Sequence, residues 1–170
     1  EYPTGLKCIS EEERSFVREH RIEVDHDETM RDTVLFQDPM GNGGMMNIND
    51  SVGHQIWNYV DQNSSLGWIL DYTCNYVTYD GHQGTDIVIP GFYYMDEMNT
   101  PIVAAAPGIV TYSHDGEFDR QTYWINGAVA NGVIVSHSNG TEAWYWHMKT
   151  NSVAVATGDN IEIGDTLGFV

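Results

Sequence analysis

The second half of the chain consists of short runs of β-branched and aromatic residues, which Gly or Pro interrupts every few positions. Residues 85–89 stop at Pro90-Gly91, and residues 101–112 are divided by Pro107-Gly108. Runs this short favour strands joined by tight turns over helices. Further predicted strands are residues 132–136, 143–147, 153–156, 161–163 and 166–170. From about residue 76 onward we therefore predict a mainly β fold, an antiparallel sheet or sandwich.

Asn139-Gly140 predicts a hairpin between two of these strands. This dipeptide favours a two-residue turn, which would pair residue 137 with 142 and residue 132 with 147. His137 and His147 would then lie on opposite faces, whereas a three-residue loop would bring them onto one face. We predict the two-residue loop, which leaves His137 outside any site that contains His147.

One helix is predicted near the start of the chain. Ser10 and Glu13 have the spacing of a capping box, and Phe16 and Val17 follow as an apolar stripe. We expect a short helix through about residue 20. It belongs to an N-terminal extension, residues 1–75, which we expect to pack on the core formed by residues 76–170.

The charge of the chain excludes several partners. It carries 7 Lys+Arg against 25 Asp+Glu, a formal net charge of −18. Nucleic acids and anionic membrane surfaces need clustered basic residues, so we expect neither as a partner. No apolar run approaches the roughly 18 to 20 residues of a bilayer span. We therefore expect a soluble protein, and a monomer.

The two cysteines bear on the compartment. Cys8 and Cys74 could form one disulfide in an oxidising environment, or both could be buried free thiols. The chain begins at Glu1, which predicts a processed or excised product. Acidity together with a disulfide would suit a secreted, extracellular protein.

The run His82-Gln83-Gly84-Thr85-Asp86 is the sharpest candidate for a metal site. An imidazole in a turn and a carboxylate on the following strand can converge on one cation, and zinc accepts this pair of ligands. Asp86 also precedes the apolar run Ile87-Val88-Ile89, where an unpaired carboxylate is costly. A metal would satisfy it, and so would a purely structural hydrogen bond to His82.

The run Trp144-Tyr145-Trp146-His147-Met148 predicts a strand that ends in a histidine. Alternation would place Tyr145 and His147 on one face, with the two tryptophans on the other. His147 could act there as a general base beside a metal-bound water. An ordinary cross-strand histidine among aromatic residues is the alternative.

These segments together resemble the lysostaphin-like zinc metallopeptidases, many of which cleave peptide bridges or stems of bacterial peptidoglycan. Residues 82–86 resemble the family's His-x-Gly-x-Asp motif, and residues 144–148 its Tyr-x-His-Leu segment. Residues 100–110 resemble its Thr-Pro-Val-x-Ala-x-x-x-Gly-x-Val strand pair, and residues 158–168 its Gly-x-x-Val-x-x-Gly-x-x-Ile-Gly hairpin. The resemblance covers about residues 76–170.

The resemblance implies zinc as cofactor, His82 and Asp86 as ligands, and His147 as a catalytic residue. It implies a substrate contact near the oxyanion for Tyr76 or Tyr79, and we add Tyr145 as a substrate-binding candidate. The family's His-x-His pair, which supplies a third ligand, would fall about ten residues past Val170, so we expect the core to be truncated there. The implied function is a secreted zinc endopeptidase acting on glycine-rich or peptidoglycan cross-link peptides. The alternative is an inactive wall-binding or activator domain of the same fold.

Overall fold

The computed structural model describes residues 9–26, 33–40, 54–123, 125 and 127–170. Within these ranges it has two helices, α1 (Glu11–His20) and α2 (Phe92–Asp96). The strands are β1 (Gln55–Asn58), β2 (Asp86–Val88), β3 (Pro101–Val103), β4 (Gly108–His114), β5 (Gly132–Ser136), β6 (Glu142–Trp146), β7 (Asn160–Ile161) and β8 (Thr166–Phe169).

A four-stranded sheet forms the centre, in the order β6-β5-β4-β7, with every neighbouring pair antiparallel. The β3-β8 pair packs on one face, where Ile102 and Leu167 join Val110, Val133 and Val135 in the main core. On the other face α1 covers the sheet. All five residues of β5 are buried because both faces are covered. The predicted mainly β, antiparallel fold is confirmed.

Helix α1 begins as predicted. The Ser10 hydroxyl accepts a hydrogen bond from the Glu13 N–H at 3.1 Å. Val17 is 1% exposed and packs against Tyr112 and Ile134 of the central sheet. The Glu13 side chain, however, bonds to Trp146 and Ala130 rather than completing the capping box.

The predicted two-residue hairpin loop is wrong. Ser136 pairs with Glu142 and Gly132 with Trp146, and the His137 N–H donates to the Thr141 carbonyl at 2.9 Å. The loop is therefore residues 138–140. The Asn139 side chain accepts from the Thr141 N–H and hydroxyl, and Gly140 takes the left-handed conformation at φ +77°. These two features accommodate a third loop residue.

The predicted strand at residues 153–156 is also wrong. The Ala154 N–H donates to the Leu167 carbonyl at 2.8 Å, and the Ser113 hydroxyl donates to the Val155 carbonyl at 2.7 Å. The segment forms no strand in the structure. The reason is that its backbone groups bond singly to different neighbours and build no continuous ladder.

Three further observations concern the N-terminal extension and its surroundings. Strand β1 pairs with β2, so the residues on either side of position 75 share one ladder; the boundary itself stays a prediction.

Cys74 is exposed and is not in a disulfide, whereas Cys8 lies outside the described residues, so the predicted bond is not shown. Neither helix in the described ranges is long and apolar enough to cross a bilayer.

Candidate functional site

His82 lies in the turn just before β2, and its side chain is held on three sides. It is 2% exposed, and its ring stacks on Tyr79 with centroids 4.2 Å apart. Its Nδ1 lies 3.1 Å from the Tyr59 carbonyl oxygen. The ring is thereby oriented so that Nε2 faces Asp86, 3.1 Å from its Oδ1.

Asp86 begins β2, and its second oxygen is also occupied. The Asn58 side-chain amide donates to Oδ2 at 2.8 Å from the neighbouring strand β1. Desolvation alone would raise the pKa of the Asp86 carboxyl. The hydrogen bonds from His82 and Asn58, with the positive charge that His82 and His147 can carry, hold that pKa below its ordinary value. Asp86 is therefore ionised at neutral pH.

His82 and Asp86 fit a shared zinc ion. Both ring nitrogens of His82 face oxygen acceptors, so a neutral imidazole leaves one nitrogen lone pair against an oxygen. When Nδ1–H donates to a carbonyl, the Nε2 lone pair is free for a metal, the usual arrangement of histidine ligands. Two ligand atoms about 2.0–2.1 Å from a tetrahedral zinc are about 3.3 Å apart. The observed 3.1 Å is close to that separation.

His147 lies one residue past the end of β6, in the left-handed conformation at φ +62°. It lines the same groove as His82 and Asp86. Solvent reaches the residue from the groove. The protein packed around the ring nevertheless lowers the pKa of His147 by desolvation, an effect that the negative charges of Glu13 and Asp86 oppose. The structure thus brings four of the predicted site residues to the lining of one groove: His82, Asp86, Tyr145 and His147.

The three tyrosines predicted to bind substrate lie in different places. Tyr145 is 7% exposed, and its hydroxyl accepts the Ala105 N–H at 2.8 Å, so that hydroxyl is already engaged. Tyr79 stacks on His82, whereas Tyr76 is 74% exposed and does not line the groove. Substrate binding by any of them stays a prediction.

His137 is buried at the loop end of the β5-β6 hairpin, where its Nδ1 lies 2.8 Å from the Pro107 carbonyl. It does not line the groove. The sequence prediction separated His137 from His147 by placing them on opposite faces of the hairpin. In the structure the two residues are separated by the distance along the strands. The two residues flank opposite ends of five-residue strands, and each strand residue adds about 3.3 Å.

Several groups around the site were not predicted. The Asn58 amide, on β1, bonds to Asp86, and the Tyr59 carbonyl, one residue past β1, contacts His82; no local pattern in the sequence marks either group. Glu13 did carry a signal. It lies three and four residues before Phe16 and Val17, on the apolar face of α1, where a carboxylate needs a buried partner.

Helix α1 also reaches the wall that carries His82 and Asp86. The Arg14 guanidinium donates to the Gln83 side chain, between His82 and Asp86 in the sequence. The same guanidinium lies over the Trp144 ring, 5.6 Å from its centroid. Arg14 therefore connects the turn between His82 and Asp86 to β6. Among the residues that the structure describes, no set of three His, Cys, Asp or Glu side chains could hold a metal.

Three curated proteins are similar to this chain. They are the DD-carboxypeptidase/endopeptidase Mpg of Neisseria meningitidis serogroup B, in two strains, and of Neisseria gonorrhoeae. Each is 30% identical over 80 residues, which is 47% of this chain and 16% of the relative. The match thus spans about a sixth of their length. No solved structure gives a significant match.

The model of one protein family, peptidase family M23, matches residues 80–170. The matched region is more than half of the chain and contains His82, Asp86 and His147. It also contains the four segments on which the resemblance to the lysostaphin-like metallopeptidases was based. That resemblance is confirmed, and the chain belongs to peptidase family M23.

Proposed function

We propose that this protein is a secreted zinc metalloendopeptidase that hydrolyses glycine-rich or peptidoglycan cross-link peptides. The observation that carries the proposal is the 3.1 Å approach of His82 Nε2 to Asp86 Oδ1 beside His147, in a member of peptidase family M23. The name of the Neisseria relatives, a DD-carboxypeptidase/endopeptidase, supports peptide-bond hydrolysis as the reaction.

His82 and Asp86 would hold the zinc ion, with a third ligand expected past Val170. Bound there, zinc supplies Lewis-acid polarisation of the scissile carbonyl and lowers the pKa of a water molecule toward neutrality. A neutral His82 whose Nδ1–H donates to the Tyr59 carbonyl has its Nε2 lone pair available for the metal. His147, with its lowered pKa, is neutral at pH 7 and able to orient the attacking water or donate toward the developing oxyanion.

The charge of the protein bears on the substrate. Because the protein carries a formal net charge of −18, it repels anionic wall polymers at low salt. A neutral glycine-rich peptide meets no such repulsion. We therefore expect hydrolysis of an uncharged glycine-rich peptide to be nearly independent of ionic strength, and hydrolysis of intact cell wall to rise with added salt.

The test uses the natural full-length product and a synthetic glycine-rich peptide, with products identified by mass spectrometry. His82→Ala should abolish both hydrolysis and zinc binding. His147→Ala should abolish hydrolysis and retain zinc. His114→Ala is the matched control, since His114 pairs with Glu117 away from the groove, and it should keep wild-type activity. Hydrolysis that survives both site substitutions would refute the proposal.

A non-catalytic wall-binding or activator domain is the second candidate. It is favoured by the lack of a third metal ligand among the described residues. The discriminating observation is the natural coding sequence downstream of residue 170. A His-x-His pair in register with the family would exclude this candidate, and its absence together with chelator-insensitive binding to cell wall would support it.

A further inference from the structure

Glu13 is a buried carboxylate, 6% exposed, on the face of α1 that packs against the sheet. Its Oε1 accepts two hydrogen bonds, from the Trp146 indole N–H at 2.8 Å and from the Ala130 backbone N–H at 2.9 Å. A buried carboxylate is costly unless it is hydrogen-bonded, and bonds to an ionised acceptor are the stronger kind. The position of Glu13 is therefore tightly specified by these two donors.

Trp146 has little freedom to move. Its ring lies against Gly132, where an added Cβ would come within 2.7 Å of the indole Cε3. It stacks on Tyr112 with centroids 5.7 Å apart, and Trp144 lies 5.3 Å away. The bond to Glu13 fixes the remaining polar edge of the ring. Trp146 is thus clamped by packing on its faces and by a carboxylate at its N–H.

His147 directly follows Trp146, and its backbone takes the left-handed conformation, which residues other than glycine rarely adopt. The residue after it is clamped as well. The Met148 N–H donates to the Asn131 carbonyl at 3.1 Å, and the Asn131 side-chain amide donates to the Met148 carbonyl at 3.0 Å. Neighbours that hold both sides of a residue can maintain such a conformation.

One Glu13 oxygen accepts hydrogen bonds from Trp146, which precedes His147, and from Ala130. The neighbour of Ala130, Asn131, bonds to Met148, which follows His147. Glu13 thus connects the two segments that hold the His147 backbone. We propose that Glu13 is a positioning residue that sets the direction of the His147 ring into the groove by holding Trp146. This inference rests on the proposed function, since it assumes that His147 acts on substrate. It gives the N-terminal helix a part in the activity of a site whose predicted residues all lie in the peptidase core.

The test measures kcat and KM of the natural full-length product on the glycine-rich peptide. Glu13→Leu removes the acceptor and should lower kcat about 10- to 100-fold, since small misplacements of reacting groups have effects of this size, with KM changed less than about twofold. Glu13→Gln keeps the oxygen that both donors use and should restore kcat to within about threefold of wild type. Glu12→Leu and Glu12→Gln, on the exposed side of the first turn, are the matched controls and should behave as wild type.

Trp146→Phe is a second variant for the case that Glu13→Leu does not fold. It removes the indole donor and keeps an aromatic ring, so it should lower kcat about 3- to 10-fold. In the double variant that combines Glu13→Leu with Trp146→Phe, the loss of kcat should be smaller than the product of the two single losses, because both substitutions remove the same hydrogen bond. The indole N–H resonance of Trp146 and the His147 ring resonances should shift in Glu13→Leu and stay in place in Glu12→Leu.

The outcomes separate the two proposals. If the wild-type product hydrolyses no peptide, the proposed function fails. If the wild type is active and a folded Glu13→Leu keeps kcat within about twofold, positioning by Glu13 is refuted. It is equally refuted if Trp146→Phe has wild-type kcat, or if kcat in Glu13→Leu falls only in proportion to the folded fraction.

Discussion

The groove has two walls that are built in opposite ways. The wall with His147 belongs to the central sheet, where the side chains of Val133, Ile134 and Val135 are fully buried. The wall with His82 and Asp86, residues 54–89, has no buried hydrophobic residue at all among those that the structure describes. Its buried residues are polar: His54, Asp71, Thr78 and His82. One wall is held by packing and the other by hydrogen bonds.

Two carboxylates organise the polar wall, residues 54–89. Asp61 accepts the backbone N–H groups of Asn63, Leu70 and Gly81, and Asp71 accepts those of Thr73, Asn75 and Val77. Each carboxylate thus holds its segment together by accepting several backbone N–H groups, in place of a small hydrophobic core. The comparison teaches that the wall with His82 and Asp86 depends on the ionisation of its carboxylates, whereas the wall with His147 depends on close packing.

The largest effect is expected in the packed wall. Ile134 is 0% exposed in the central strand β5. Ile134→Ala should lower the free energy of unfolding by about 2–5 kcal/mol, because it removes buried methyl groups and leaves a cavity. Urea unfolding followed by tryptophan fluorescence measures the change. A loss below about 1 kcal/mol would contradict a wall held by packing.

A smaller loss is expected where the packed wall meets the site. Gly132→Ala would place a Cβ 2.7 Å from Trp146 Cε3 and 2.9 Å from the Tyr145 carbonyl oxygen. We expect about 1–3 kcal/mol of destabilisation from overpacking, together with a shift of the Trp146 indole resonance. Stability measured by urea and the indole signal in NMR spectra should change together. An unchanged indole signal would show that the ring is not confined as the structure indicates.

The polar wall should open first in acid. Burial alone would raise the pKa of Asp71, but hydrogen bonds from Thr73, Asn75 and Val77 lower it to about 2 from an ordinary 3.8. A lowered folded-state pKa stabilises the fold above the ordinary value, and that stabilisation is lost as the pH falls from about 4 through 2. Amide protection factors in residues 71–77 should therefore decrease over this range before those of β5 do.

Asp71→Asn isolates this effect. It should lower protection of residues 71–77 at pH 7 and remove most of the pH dependence between about 4 and 2. Asp25→Asn is the matched control, because Asp25 is exposed. Equal acid sensitivity of the two walls, or an unchanged profile in Asp71→Asn, would break the comparison.

The smallest effect is expected at the apolar side chains of the polar wall. Leu66 is 80% exposed. Leu66→Ala should change the free energy of unfolding by no more than about 0.5 kcal/mol, the usual range for surface positions. The same urea measurement applies. A loss comparable to that of Ile134→Ala would mean that hydrophobic packing holds this wall too.

The sequence predicted what local patterns determine. Helix α1 with its Ser10 cap, and the strands β2 and β4–β6, follow from periodicity and turn residues close in the chain. The contacts that arrange the site are not local. Glu13 bonds to Trp146 over 133 residues, and Asn58 bonds to Asp86 over 28. Composition alone did not indicate either pair.

Turn and backbone geometry account for the remaining errors. The register of the β5-β6 hairpin depends on how the Asn139 side chain bonds to Thr141, which the Asn-Gly signal does not specify. The strand alternation that placed Tyr145 beside His147 does not extend to His147, because that residue lies past the end of β6 with a positive φ.

That His82 and Asp86 jointly bind one zinc ion is tested most directly by titrating the metal-free natural product with zinc in a calorimeter. We predict one zinc per chain for the wild type, with the affinity reduced at least about 100-fold in both His82→Ala and Asp86→Ala and unchanged in Glu12→Gln. Zinc binding of wild-type affinity in either ligand variant would contradict the assignment.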